Sequence, residues 1–294
     1  MVIGAPQEAD CFPAINAPIG RFLSVRGVRA HVQEQGETDA PSVLLLHSAS
    51  ANLREFAFSL APRIAEFARV VSLDRPGLGF SGRPRGAQRL GVQAAFAAGV
   101  LEQTVGAPAV IVGHSFGGAV ALRLALDRPE LVRALVLFAP VSRPWPGQTA
   151  WYNRLAARPL IGPVFAQAVR LVGPLRAGGA LSNTFRPQPA PRTYGAELGA
   201  ALLFRPHSFR ANARDLAFLN AELEAQAPRY GQIRAPVRIL FGDSDHVVTH
   251  TRHGLALAQA VRDGEAKILP GVGHMPHRAA PEAALAMIRA AVGE

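Results

Sequence analysis

The sequence contains a single cysteine, Cys11, so it can form no intrachain disulfide and no zinc or iron–sulfur site built on several thiolates. It also contains a single lysine, Lys267, although the formal net charge is +10; the positive charge is carried almost wholly by arginine. These arginines stand singly, without the mixed Lys/Arg runs and interleaved aromatics of a nucleic-acid-binding surface, so a nucleic-acid partner is not expected. No stretch of about 18 uninterrupted apolar residues is present, which argues against a membrane span. The first ten residues lack a basic segment followed by an apolar one, so no signal peptide is expected and the expected location is cytoplasmic. With 49% hydrophobic and 18% charged residues, the composition excludes disorder and collagen-like repeats. A chain of 294 residues suggests one large domain with an insertion.

What is present is an alternation of short apolar runs and helical stretches. Residues 1–20, with Pro6, Pro13 and Pro18, read as an arm. Strands are predicted at 21–25 and 30–33, broken at Gly27 and Gly36, and then at 42–47, 69–74, 109–112 and 133–138. Helices are predicted over about 52–67, 88–105 and 116–126. Strands alternating with helices imply an α/β fold with a mostly parallel sheet. The alternation stops near Ser142 and resumes with strands at 237–241 and 266–269 and helices at about 252–262 and 282–292. Residues 142–233 therefore form an insertion, with helices expected over about 149–157 and 209–227, long enough to fold as a helical cap. The expected organisation is an arm (1–20), a core (21–141 and 234–294) and a cap (142–233).

The chemistry concentrates at Gly113-His114-Ser115-Phe116-Gly117. This G-x-S-x-G sequence directly follows a predicted strand and opens a predicted helix, the setting in which a sharp turn lifts a nucleophilic serine clear of a sheet. A serine hydroxyl needs a base, and the base needs an orienting carboxylate. Candidates follow in the order Ser…Asp…His: Asp243 and Asp245 after the strand at 237–241, and His274 after the strand at 266–269. Asp243 can alternatively bond the turn backbone. His246, His250 and His277 lie nearby and read as solvated loop or helix histidines. A metal site built from them is disfavoured because no H-E-x-x-H motif accompanies them, and none is expected. A tetrahedral oxyanion requires two backbone donors. One is expected from Phe116, at a helix N-terminus, and the other from the loop His47-Ser48-Ala49, with Ala49 as the assigned donor.

With these stations in order, the chain resembles the α/β-hydrolase fold superfamily over about 25–141 and 234–294. The residues that carry the resemblance are His47-Ser48, the stretch Asp74-Arg75-Pro76-Gly77-Leu78-Gly79-Phe80-Ser81, the Ser115 elbow, Gly242-x-x-Asp245 and Gly273-His274. The resemblance implies a mostly parallel eight-stranded sheet flanked by helices, with a helical cap inserted after the sixth strand. It favours Asp245 over Asp243 as the acid and gives Asp74 to Ser81 a structural role. The usual His-Gly of the oxyanion loop is His47-Ser48 here; serine tolerates positive φ less well, so this loop is expected to follow a different path, and Ser48 could add a hydroxyl donor. Serine at the elbow argues against haloalkane dehalogenases and epoxide hydrolases, which use aspartate there. Tyr152, Tyr194 and Tyr230 are given no catalytic role.

The leading expectation is a cofactor-free serine esterase, with carboxylic esters or lactones as substrates. The same triad could instead cleave a carbon–carbon bond or act as a perhydrolase, and the fold also serves as a non-catalytic small-molecule receptor. The insertion's aromatics, among them Trp145, Trp151, Phe165, Phe185, Phe209 and Phe218, are expected mostly to pack it onto the core, with some lining a pocket for a small hydrophobic ester. The charge is uneven: residues 142–230 hold eleven arginines against four carboxylates. This suggests either a solvated lid or one that attracts anionic substrates or an anionic surface.

Overall fold

The computed structural model describes residues 17–147 and 149–293, with the backbone alone over 174–177. Cys11 and most of the expected arm lie outside the described residues. Eight strands form one sheet: β1 (Arg21–Val25), β2 (Val28–Gln35), β3 (Ser42–Leu46), β4 (Arg69–Leu73), β5 (Ala109–His114), β6 (Val132–Phe138), β7 (Val237–Gly242) and β8 (Gly264–Leu269). Their spatial order is β1-β2-β4-β3-β5-β6-β7-β8. β1 and β2 form an antiparallel hairpin, β2 meets β4 antiparallel, and every other pairing is parallel.

The two-residue period of the strands divides the core into two layers. Leu44, Leu46, Ile111, Leu135, Leu137 and Ile239 face one side. Val43, Leu45, Val110, Val112, Val136 and Leu240 face the other. The first layer is covered by α3 (Leu90–Thr104) and α4 (Phe116–Asp127). The second is covered by α1 (Arg54–Ala57), α2 (Leu60–Ile64) and α12 (Pro281–Val292). β5 is buried along its whole length, which is why it reads as an unbroken apolar run. Each such buried aliphatic side chain contributes about 2 kcal/mol of transfer free energy.

The helix expected over 52–67 is two short helices. Pro62 in a continuous helix would clash with the carbonyl of Phe58, and the chain breaks there, at Phe58 and Ser59. Between β6 and β7 lie α5 (Trp151–Ala157), α6 (Ile161–Val172), α7 (Pro174–Phe185), α8 (Tyr194–Leu198) and α9 (Pro206–Gln226). α5 and α9 match expectation. α6 and α7, in a proline-rich stretch, were not predicted; Pro163 and Pro174 occupy first-turn positions, where proline costs no hydrogen bond. After β7 come a π-helical turn (Thr251–Leu255), α10 (Ala256–Ala260) and, past β8, α11 (Pro276–Ala279). No described helix is long and apolar enough to cross a membrane.

Candidate active site

Ser115 stands between the end of β5 and the first residue of α4, with φ +51° and ψ −112°. Few non-glycine residues occupy that region, and holding one there costs of order 1–3 kcal/mol. The turn is fixed by Ser115 N–H donating to the Phe138 carbonyl (2.9 Å) and by the Ser115 carbonyl accepting from Gly118 (3.0 Å) and Val141 (3.1 Å). Its tightness explains two glycines. A Cβ on Gly113 would sit 2.7 Å from the Gly117 carbonyl oxygen, and one on Gly117 would sit 2.1 Å from that of Leu46.

The parallel order β5-β6-β7-β8 brings the loops after β7 and β8 beside this elbow. His274 Nε2 lies 3.0 Å from Ser115 Oγ, and its Nδ1 lies 2.7 Å from Asp245 Oδ2. A carboxylate can only accept, so Nδ1 carries the proton and Nε2 is left to accept from the serine hydroxyl. The second carboxylate oxygen of Asp245 accepts from the Val247 (2.8 Å) and Val248 (2.9 Å) amides, which orients it. All three residues are buried. Asp243 does not join them: it accepts from the Gly271 amide (2.7 Å) and the Ser244 hydroxyl, the turn-bonding role open to it.

The oxyanion loop departs from expectation in its particulars. The positive φ falls on Ser50 (+57°), not on Ser48. Ser48 directs both its amide (2.8 Å) and its hydroxyl (2.9 Å) to Glu55 Oε2, so its hydroxyl is not an additional donor to the site. His47 is also turned away: Nε2 accepts from the Arg75 amide (2.9 Å), and Nδ1 donates to the Ser48 carbonyl (2.8 Å). Burial, then the charge of Arg75, pushes the His47 pKa down to about 4, so it stays neutral and holds the loop. The Ala49 amide makes no hydrogen bond to protein among the described residues. Phe116, in the first turn of α4, has no intrahelical acceptor for its N–H.

Three polar residues that sequence reasoning passed over hold this region. Arg75 is fully buried; it donates to the His47 and Ser48 carbonyls (3.0 Å each) and to Gln93 (2.8 Å), and its guanidinium lies 4.3 Å from the Phe116 ring centroid. Burial lowers its pKa to about 10, still charged at neutral pH. Its ionic partner is Asp215 of α9 (3.4 Å), which also pairs with Arg83 (2.6 Å). The third is Glu55. It accepts from Ser48 through one oxygen and pairs with His114 Nδ1 through the other, while His114 Nε2 reaches the His274 carbonyl (2.9 Å). Burial raises the Glu55 pKa, but His114 and its hydrogen bond outweigh that and leave it lowered. Burial likewise lowers that of His114, and Glu55 overcomes this to leave it raised. The pair is therefore ionic, carboxylate with imidazolium. Arg75 lay in the quoted Asp74–Ser81 stretch, and Asp215 is one of only four carboxylates in an arginine-rich insertion; both were signals available in the sequence.

His277, expected in solvent, is instead fully buried between Phe56, Phe138 and His114. Burial, then the His114 charge, holds its pKa well below the ordinary range. His246 is exposed, as expected, and His250 is half-buried. Glu55, His114 and His277 are the one trio among the described residues close enough to share a cation. Their donor set does not suit one, because both His114 nitrogens are already engaged, by Glu55 and by the His274 carbonyl. Asp74, by contrast, fills the structural role expected of it: it accepts from the Leu53 and Phe80 amides and pairs with His31. Tyr230 is structural too, its hydroxyl donating to the Ser142 carbonyl (2.6 Å), and Tyr194 packs against Phe185.

A profile of the α/β-hydrolase fold matches residues 41–278. The chain belongs to the α/β-hydrolase fold family. Within this family it is 34% identical over 135 residues to a 2-hydroxymuconate semialdehyde hydrolase of Pseudomonas sp. strain CF600, a match covering 45% of this chain and 47% of that protein. The chain spans about half the length of the curated relatives it matches. Among solved structures, the 2-hydroxy-6-oxo-6-phenylhexa-2,4-dienoate hydrolase of Rhodococcus sp. strain RHA1 superposes with a TM-score of 0.76 at 22% identity, covering 93% of this chain and 98% of that one. The enol-lactonase of Burkholderia xenovorans LB400 superposes with a TM-score of 0.68 at 21% identity, covering 93% and 100%. These two likenesses concern the fold.

Proposed function

We propose that this α/β-hydrolase is a cofactor-independent serine hydrolase that cleaves carboxylic esters or lactones through an acyl-enzyme on Ser115. The observation that carries the reading is the line of contacts from Asp245 through His274 to Ser115, at 2.7 and 3.0 Å, with the serine on a strained elbow. Ser115 Oγ attacks the carbonyl carbon while His274 Nε2 takes its proton, and Asp245 stabilises the imidazolium. The developing oxyanion is received by the Phe116 and Ala49 amides, each such donor being worth about 3 kcal/mol in the transition state. The imidazolium then protonates the departing alcohol. Water, deprotonated by His274, releases the acid and restores Ser115.

A second reading, hydrolysis of a carbon–carbon bond in a vinylogous diketone, is supported by the names of the relatives described above. The ester reading is preferred because the buried cation beside the oxyanion loop, Arg75, is committed to two carbonyls, Gln93 and Asp215, and is not offered to a carboxylate-bearing ring-cleavage product. Turnover of p-nitrophenyl esters, a lactone and a 2-hydroxy-6-oxo-dienoate should be compared on one preparation. The proposal expects ester or lactone kcat/KM to exceed that of the dienoate by at least about tenfold, a difference of roughly 1.4 kcal/mol in transition-state binding. The reverse order would assign the triad to carbon–carbon cleavage.

A further inference from the structure

α6 is apolar on both sides. Its inner face, Phe165, Ala166 and Val169, packs on Phe209 and Ala213 of α9 and Ala156 of α5. Its outer face carries Ile161, Val164 and Leu171 at spacings of three and seven residues, one stripe of a helix. That stripe is open to solvent: Val164 is 73% exposed, Leu171 77% and the adjoining Leu160 88%, with Trp151 of α5 beside Phe165 at 63%. Such a contiguous patch of large apolar side chains marks a contact surface rather than ordinary surface composition. Trp151, Tyr152 and Phe218 are among the insertion's aromatics that do not pack inward.

The charge along this part of the chain is of one sign. Residues 142–196 contain seven arginines and not one aspartate or glutamate. Arg158, directly after α5, and Arg170 of α6 stand exposed, and among the described residues no carboxylate pairs with either. A helix with an outward apolar stripe, a tryptophan alongside and arginines at its flanks has the chemistry of a segment that lies in the headgroup region of an anionic bilayer. A second copy of the chain is a poorer occupant, since joining two such faces would oppose arginine to arginine with no carboxylate to neutralise them.

We infer that the outer face of α5 and α6 docks the protein onto an anionic lipid surface, the apolar stripe entering the headgroup layer and Arg158 and Arg170 contacting lipid phosphates. The inference does not depend on which bond the triad cleaves, because docking is read without turnover. The full chain should be floated with vesicles of phosphatidylcholine alone and of equimolar phosphatidylcholine and phosphatidylglycerol. Binding is expected to the second only, and is expected to fall as salt screens the arginines. The double variant V164S/L171S should bind about tenfold less, and R158Q/R170Q should bind about tenfold less with a weaker salt dependence. Both should keep wild-type turnover of a soluble ester, which shows they are folded. No flotation, equal flotation with both vesicles, or undiminished binding by V164S/L171S would overturn the inference. So would a wild-type dimer by light scattering that V164S/L171S converts to monomer, which would give the face to a second copy.

Discussion

Asn212 on α9 grips Ser50 of the oxyanion loop at both ends of the residue. The Ser50 amide donates to Asn212 Oδ1 at 2.7 Å, and Asn212 Nδ2 donates to Ser50 Oγ at 3.0 Å. Ser50 has φ +57°, a conformation that a non-glycine residue keeps only when its surroundings hold it there. The residue before it, Ala49, is the proposed oxyanion donor. A helix of the insertion thus sets the backbone of the proposed oxyanion loop. Asn212→Ala is expected to lower kcat by about tenfold to a hundredfold with a smaller change in KM, because an oxyanion contact is made mainly in the transition state. Steady-state kinetics on a soluble ester check this; a KM increase with kcat unchanged would show Asn212 to be a substrate contact.

One turn along α9, Asp215 performs the same service through Arg75. Asp215→Ala would strand a buried guanidinium and should cost about 3–5 kcal/mol of stability, measured from urea midpoints. Arg75→Lys should also impair both stability and kcat, because an ammonium cannot span the His47 and Ser48 carbonyls as the planar fork does.

The buried Glu55–His114 pair predicts a histidine that keeps its proton above the usual range. Because its folded pKa is raised, His114 contributes stability that is complete below about pH 6.5 and is lost as pH rises through the folded value. Histidine NMR titration should show one imidazole in the wild type that keeps its proton to a higher pH than an ordinary histidine does. In Glu55→Gln that signal should move down, since burial, which lowers it, is then opposed only by the His274 carbonyl and Asp245. An unchanged titration would remove the ionic pair.

His47 and His253 act in the opposite sense. Burial pushes both down to about 4, followed by the charges of Arg75 and Arg252 respectively. The unfolded chain takes up their protons first, so between about pH 6.5 and 4 each subtracts up to about 1.4 kcal/mol per pH unit. Thermal melts should therefore show Tm falling across this window. His253→Asn should make the fall shallower; an identical slope would contradict its share.

The parts of the molecule that were legible in sequence are those set by local period and by motif. The runs at 42–46, 69–73 and 109–112 alternate faces in a sheet covered on both sides, and so could be read directly. Ser115, Asp245 and His274 each follow a strand, and parallel order alone brings such loop residues together. What escaped was long-range. The bonds joining Ser50 to Asn212 and Arg75 to Asp215 span 162 and 140 residues, and no spacing rule connects them. His277 looked like a loop histidine because nothing local announces that Phe56, from a distant helix, and Phe138 enclose it. α6 was missed because it lies in a proline-rich stretch, and nothing local shows that Pro163 sits in a first turn, where proline is tolerated.

The proposed reaction passes through a covalent intermediate on Ser115, which can be observed. The protein should be incubated with a fluorophosphonate and examined by intact mass and peptide mapping, alongside Ser115→Ala and His274→Ala. One adduct per chain, on the peptide bearing Ser115, absent in Ser115→Ala and strongly slowed in His274→Ala, is the predicted result. Ester hydrolysis that persists in Ser115→Ala, with no adduct at residue 115 in the wild type, would contradict it.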